Sequence, residues 1–528
     1  MKFNYAKTIE KWDVFEVTVS GPKEGNPFCD QWIKGTFCCK NEKKTVDGFY
    51  DGDGAYKVRF MPSFTDEYTF EIEASFDINA EYKLGTADGG KAAEKCAVRN
   101  ILTGIFTVIP PSADNHGPVR VAGTYYLAYE DGTPYHCIGT TCYVWNLQNE
   151  ELQKQTLKTL EENAFNKIRF CIFPKHYDYN LHEPITYPYE GTPCDSSVLN
   201  ENNFAEYNGC APGNDWDFTR FNPAHFQHIE KCIQALMKLG IEADLIVMHP
   251  YDRWGFSMMK AEDDDRYWKY VLARFSAYRN VWWSLANEYD LMHEKTLSDW
   301  ERYAGIICEK DPYHHLRSIH NCKAYYDYNL PWITHCSIQR TETYRSSELV
   351  NEWREKYHKP VVLDEICYEG NIQFGWGNIS GEEMTRRFWE AFCRGGYPGH
   401  GETYLSPDRI LWWSHGGVLH GTSPERIKFL AKIMEETPGL GVEPMLCKWD
   451  EVACRAAGFP ARKDYFIYYY SFMRPGFRDF YFDDTTEYQV EIIDTWEMTI
   501  TDGGVHKGKF RVKLPGKEYM AVRLRVAK

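Results

Sequence analysis

The spacing of apolar positions changes character twice along the chain. Up to about residue 115, apolar and polar residues alternate in short runs, WDVFEVTVSG, YKVRFMPS, YTFEIEASFD and GIFTVIPP, broken by clusters such as DGFYDGDG. Alternation puts every second side chain on one face, the pattern of half-buried antiparallel strands. A β-sandwich over 1–115 is the expectation. A helical stretch, AAEKCAV, comes late in it, and PPSADNHGPVRV reads as the exit linker.

From 120 to 437 short apolar runs alternate with amphipathic ones. HCIGTTCYVW, NKIRFCIFP, IEADLIVMHP, VWWSLANEYD, LRSIHNC, ITHCSIQR, PVVLDEICYEG and YPGHGETYL read as strands. Helical patterns such as PAHFQHIEKCIQALMKLG and EEMTRRFWEAFCRGG lie between most of them, and only the fifth connection, near 323–332, lacks one. This alternation predicts a (β/α)8 barrel. A doubly wound sheet is the alternative, without a G-x-G-x-x-G turn to support it. Over 442–528 the pattern returns to short strands, FIYYYSFMR, TEYQVEIID and MAVRLRVAK among them. The fold class expected is therefore α/β: a (β/α)8 TIM barrel flanked by an N-terminal β-sandwich and a smaller C-terminal β-sandwich.

Composition narrows the function. The net charge is −16, which argues against a nucleic-acid or anionic-membrane surface, since both need clustered Lys and Arg. Aromatic residues make up 16% of the chain; they build large cores and also stack on sugar rings. No run approaches the length of a membrane span. The opening MKFNYAKTIEKWDVF has no apolar core or small-residue cleavage site, and the 17 cysteines include no Cys-x-x-Cys pair. A cytoplasmic protein with free thiols and no bound metal or cofactor is the expectation. The chain is compatible with a homo-oligomer.

Barrels place their chemistry at the C-terminal ends of the strands. The fourth strand ends in Asn287 and Glu288, the seventh in Asp364 and Glu365. By strand alternation Glu288 shares a face with Ala286 and Ser284, and Glu365 with Leu363 and Val361, so both carboxylates are expected in one central mouth. Two carboxylates across a mouth are what glycosidic bond cleavage needs: one protonated to assist the leaving oxygen, one ionised to attack the anomeric carbon or activate water.

The Asn-Glu pair ending strand four and the Glu ending strand seven resemble the signature of clan A retaining glycoside hydrolases. The whole chain, with WDVFEVTVSGP, GFYDGDGAYKVRFMP and NHGPVRV before the barrel and PYHCIGTTCYVW as its first strand, resembles the apiosidase-like glycosidases. That resemblance implies Glu288 as acid/base and Glu365 as nucleophile. It also implies Asn287 on the sugar 2-hydroxyl and Arg169 holding Glu365 ionised. Where the family's first strand often carries Asp, this chain has Thr140 and Thr141.

His249, His320 and Gln339, at the ends of strands three, five and six, are candidates for sugar hydroxyls. Trp145, Trp254, Trp412 and Trp413 lie in predicted loops after strands and are candidates for stacking, with His415 beside the last pair. The long segment 175–221 after strand two reads as a wall of the pocket, which favours end-on cleavage of a small oligosaccharide or glycoside. A non-catalytic carbohydrate-binding protein is one alternative. A metal-dependent barrel hydrolase is another, but H-x-H on strand one and H-E-x-x-H are both absent.

Overall fold

The computed structural model describes residues 3–78, 100–446 and 451–527. The helical reading of AAEKCAV falls outside them. Eight parallel strands form the centre: β1 (Gly139–Thr141), β2 (Lys167–Cys171), β3 (Glu242–Met248), β4 (Val281–Ala286), β5 (Arg317–Ser318), β6 (Cys336–Gln339), β7 (Val361–Glu365) and β8 (Tyr397–His400). They pair in the order β5-β4-β3-β2-β1-β8-β7-β6. A parallel bridge between His320 and Ser337 joins the two ends and closes the ring. Every residue of β2, β3, β4 and β7 is buried, as befits parallel strands covered on both faces.

Among the described residues, seven helices of eight or more residues surround the ring: α1 (Glu150–Glu162), α2 (Pro223–Lys238), α3 (Ala261–Phe275), α4 (Leu297–Lys310), α5 (Val350–Tyr357), α6 (Gly381–Cys393) and α7 (Ser423–Glu435). Their starts are written in the sequence. Asn149, Asn222 and Ser380 accept from backbone N–H groups of the first turn, and Thr296 with Asp299 forms a capping box. The connection between β5 and β6 has no helix, as its sequence indicated.

The N-terminal unit is a sandwich of a four-stranded and a five-stranded sheet. Strand Glu67–Ala74 buries alternate residues, and the core stacks Phe15 on Phe106 and Phe37 on Phe60. It docks on the flank of the barrel. Arg59 donates to Glu230 of α2 at 2.6 Å and to the carbonyl of Arg274 of α3 at 2.8 Å, all three residues buried. Arg274 also pairs with Asp51 at 2.7 Å. Towards the rim of the mouth, Asn26 donates to Thr219 in the long segment after β2.

The supposed linker is partly a strand. Val119–Ala122 pairs with Tyr126–Tyr129, and Val119 and Leu127 pack with Trp282, Leu316, Val362 and Tyr397 under the barrel. Apolar residues flanking the turn made this segment a plug. The C-terminal unit is a six-stranded antiparallel sheet with a two-stranded ribbon, Phe477–Tyr481 and Lys509–Lys513, packed over Phe466, Tyr488 and Leu524. Its other face joins the barrel core through Cys454, Ile467 and Tyr469, where Tyr469 stacks on Trp389 of α6. Among the described residues, no helix is long and apolar enough to cross a membrane.

Candidate active site

At the base of the mouth the barrel interior is ionic. The Lys167 ammonium, fully buried, donates at 2.7 Å to both Asp244 and Asp364. Above it Arg169, also on β2, lies 3.7 Å from the same two carboxylates through Nε. Its Nη atoms reach upward, one to Oε1 of Glu365 and the other to Oδ1 of Asn287, both at 3.2 Å.

Asp364 and Glu365 are neighbours, and in a regular strand they would point to opposite faces. Here the pairing of β6 with β7 slips by one residue between Ile338 and Gln339, which face Leu363 and Glu365. Such a bulge re-aims a side chain. Both carboxylates consequently reach Arg169. Glu365 also accepts from the Tyr143 hydroxyl and lies 3.4 Å from Nε2 of His320. Burial alone would raise its pKa. The His320 hydrogen bond and charge, the Arg169 charge and the Tyr143 hydroxyl outweigh burial and bring it down to about 2.

Glu288 is reached differently from what alternation suggested. Strand β4 stops at Ala286, and Glu288 adopts a left-handed backbone with φ 52°. A non-glycine residue there carries strain, which structures keep mainly where function needs it. That turn sets the direction of its carboxylate. Oε2 accepts from the Tyr251 hydroxyl and, at 3.3 Å, from Nδ2 of Asn287. Burial and the nearby charge of Glu365 raise the Glu288 pKa, against the lowering effects of Lys175 and the Tyr251 hydrogen bond. Asn287 thus spans the pair, its oxygen on the Arg169 and Tyr143 side and its nitrogen on Glu288.

The remaining sequence-derived residues fall into two groups. His320, Gln339 and Trp413 are part of this assembly. Oε1 of Gln339 accepts from Nε2 of His320 at 3.1 Å and thereby orients the ring. Trp413 lines the wall with Tyr143, Tyr177, Tyr368 and Trp376, ring centres 4.8–6.1 Å away. The others pack elsewhere. Trp145 is fully buried edge-on against Phe170, and Trp412 donates from Nε1 to Thr140. Trp254 lies under Arg253 in the long segment's core. His249 holds the Phe173 carbonyl at 3.3 Å, and His415 is 4% exposed, so both are buried polar groups beside the mouth.

Sequence reasoning missed Tyr143, Lys175 and Tyr251. Each lies a few residues beyond the end of a barrel strand, so the rule that found the glutamates covers them too. Lys175 is buried in a box of rings, its ammonium 3.2 Å from the Tyr143 centre and 4.2 Å from that of Tyr251. Burial lowers its pKa to about 8. Tyr177, near the start of the long segment, packs edge-on against Tyr251 and Trp413 and so brings that segment against the aromatic residues beside the glutamates.

Comparison with known proteins adds the lineage. The model of the apiosidase-like catalytic domain matches residues 122–438. The chain belongs to the apiosidase-like family. Apiosidase-like membership makes it a glycosidase by class. Domains of unknown function match on either side, DUF5060 over 8–75 and DUF5605 over 449–525. This apiosidase-like chain is similar along its length to a Bacteroides vulgatus ATCC 8482 protein provisionally described as a glycoside hydrolase. Identity is 37% over 99% of this chain and 100% of that one, with a TM-score of 0.87. A glycoside hydrolase family 5 protein from the same organism shares the fold at 15% identity and TM-score 0.59, over 78% of this chain and 94% of its own. No functionally curated protein matches the apiosidase-like chain.

Proposed function

We propose that the protein removes the terminal sugar from small oligosaccharides or glycosides by a retaining double displacement. Glu365 is the nucleophile and Glu288 the acid/base. The observation that carries this reading is the opposite treatment of the two carboxylates. Glu365 is held as an anion by Arg169, His320 and Tyr143, whereas burial and the charge of Glu365 favour the protonated form of Glu288. Two carboxyl groups whose pKa values are pushed apart have divided the acid and nucleophile roles between them.

In the first step Glu365 attacks the anomeric carbon while Glu288 gives its proton to the departing oxygen. In the second, Glu288 takes a proton from water, which displaces Glu365 from the sugar. Asn287, between the two, is placed to hold the sugar 2-hydroxyl. Trp413 and its neighbouring rings supply the apolar surface for the sugar face. Contact of Tyr177, from the long segment, with Tyr251 and Trp413 supports end-on cleavage.

The test is trapping. A panel of activated 2-deoxy-2-fluoro glycosides of pentoses and hexoses slows the second step more than the first. One member should inactivate the enzyme with a mass increase of one sugar, located by peptide mapping on Glu365. A label on any other residue, or net inversion of configuration seen by NMR during turnover, would refute the assignment.

A further inference from the structure

Beyond the mouth, β7 and β8 each resume as a short strand, Glu369–Gly370 and Glu402–Thr403, paired in parallel. Three ligand-type side chains meet there: Glu369, His400 and Glu402, with one donor atom of each within 4.8 Å of the others. All three are at most 1% exposed. Two ligands of one ion stand no further apart than twice the bond length, about 4–5 Å for oxygen and nitrogen donors at about 2.0–2.4 Å.

The orientation of each side chain is fixed from behind. Glu402 accepts from the backbone N–H of His420 at 2.6 Å and of Gly421 at 2.8 Å. Glu369 accepts from the next two, Thr422 at 2.7 Å and Ser423 at 3.0 Å. It also receives the hydroxyls of Thr422 and Tyr404. Oε2 of Glu369 and both oxygens of Glu402 accept one hydrogen bond each and keep a further lone pair, whereas Oε1 of Glu369 is taken up by three donors. Nδ1 of His400 is engaged by Thr140 Oγ1 at 3.2 Å, and Nε2, fully buried, has no hydrogen-bond partner. An imidazole held through one nitrogen and free at the other, beside carboxylates held by backbone, is the second-shell arrangement of metal ligands. Among the described residues, the hydrogen-bond donors to the two glutamates are backbone N–H groups and hydroxyls, with no Lys or Arg to balance the two charges. Two buried carboxylates this close need a positive counter-charge to be ionised together.

We propose that Glu369, His400 and Glu402 bind one divalent transition-metal ion of the zinc or manganese class. One imidazole nitrogen with two carboxylates suits those ions better than the all-oxygen preference of calcium. The ion is structural. It ties the continuations of β7 and β8 to the run 420–423 that opens α7. Tyr368, next to Glu369, packs against Trp413 and Trp376, so the ion also braces the aromatic wall of the mouth. The ligands come from two strands with no motif spacing, which is why the sequence pointed to no metal. The proposal is independent of the sugar chemistry.

The full chain, without an affinity tag and grown with zinc and manganese supplied, is assayed by plasma mass spectrometry. About one ion per chain is expected. Chelation by dipicolinate should lower the unfolding temperature by several degrees, and returning Zn2+ or Mn2+ should restore it. Glu402→Gln should lose both the ion and the response. Should that variant not fold, anomalous diffraction from wild-type crystals at the metal edge locates the ion. Wild-type protein with only trace metal and no thermal response to either ion overturns the proposal. So does a Glu402→Gln protein with full metal content, or an anomalous peak elsewhere.

Discussion

Arg169 on β2 and Glu365 on β7 are separated by two strands of the ring, and the guanidinium reaches the carboxylate at 3.2 Å in a site where both are buried. The positive charge helps to keep Glu365 ionised, so the nucleophile is lost as pH falls through a pKa of about 2. Removing the charge raises that pKa. Arg169→Met should therefore move the acid limb of kcat/KM up by about a unit or more. Arg169→Lys, which keeps the charge, should move it less. A pH–rate series on all three proteins checks this, and an acid limb that stays in place would remove Arg169 from the role given to it.

Lys175 acts on the other limb. Its ammonium lowers the pKa of Glu288, so Lys175→Met should let the acid keep its proton to higher pH. The alkaline limb of kcat should then shift upward while the acid limb moves little. A downward shift would mean that the lysine helps the proton stay rather than leave.

The two glutamates should differ by substrate. With Glu365→Ala no covalent intermediate forms, so activity falls whatever the leaving group. Glu288→Ala should still release dinitrophenolate, which departs without a proton, then stall as glycosyl-enzyme until azide attacks it. On an alkyl or sugar aglycone it should lose most activity, on the order of 10²–10⁴-fold. Equal losses in all four combinations would break the assignment.

Arg59 is one of the polar contacts that dock the N-terminal sandwich. Arg59→Ala leaves Glu230 with Arg274 as its remaining partner at 2.8 Å, so the loss should lie near the low end of roughly 3–5 kcal/mol for breaking a buried pair. Thermal unfolding should begin earlier, with kcat at 25 °C unchanged because the contact is on the barrel's flank. An unaltered unfolding temperature would show that the other contacts, Asp51 with Arg274 and Asn26 with Thr219 among them, suffice to fasten the unit.

Much of this was legible beforehand because it depends on local pattern. Alternation in YTFEIEASFD and the missing fifth helix both follow from nearest neighbours in sequence. The glutamates were legible because strand ends are where barrels put chemistry. Their orientations were not. Glu288 is aimed by a left-handed turn and Glu365 by a one-residue slip, and neither follows from strand period. The tryptophans illustrate the other limit: Trp145, Trp412 and Trp413 read alike in sequence, and only packing distinguishes a core residue from a wall.

The ion cluster under the mouth also bears on how the barrel assembles. Lys167 comes from β2, Asp244 from β3 and Asp364 from β7, so one ammonium is satisfied only when strands distant in the chain have met in register. A half-barrel lacking β7 would keep a desolvated lysine short of one counter-ion, and a strand displaced by one position would turn a charge into the apolar layer. The cluster therefore penalises near-native arrangements more than it rewards the native one.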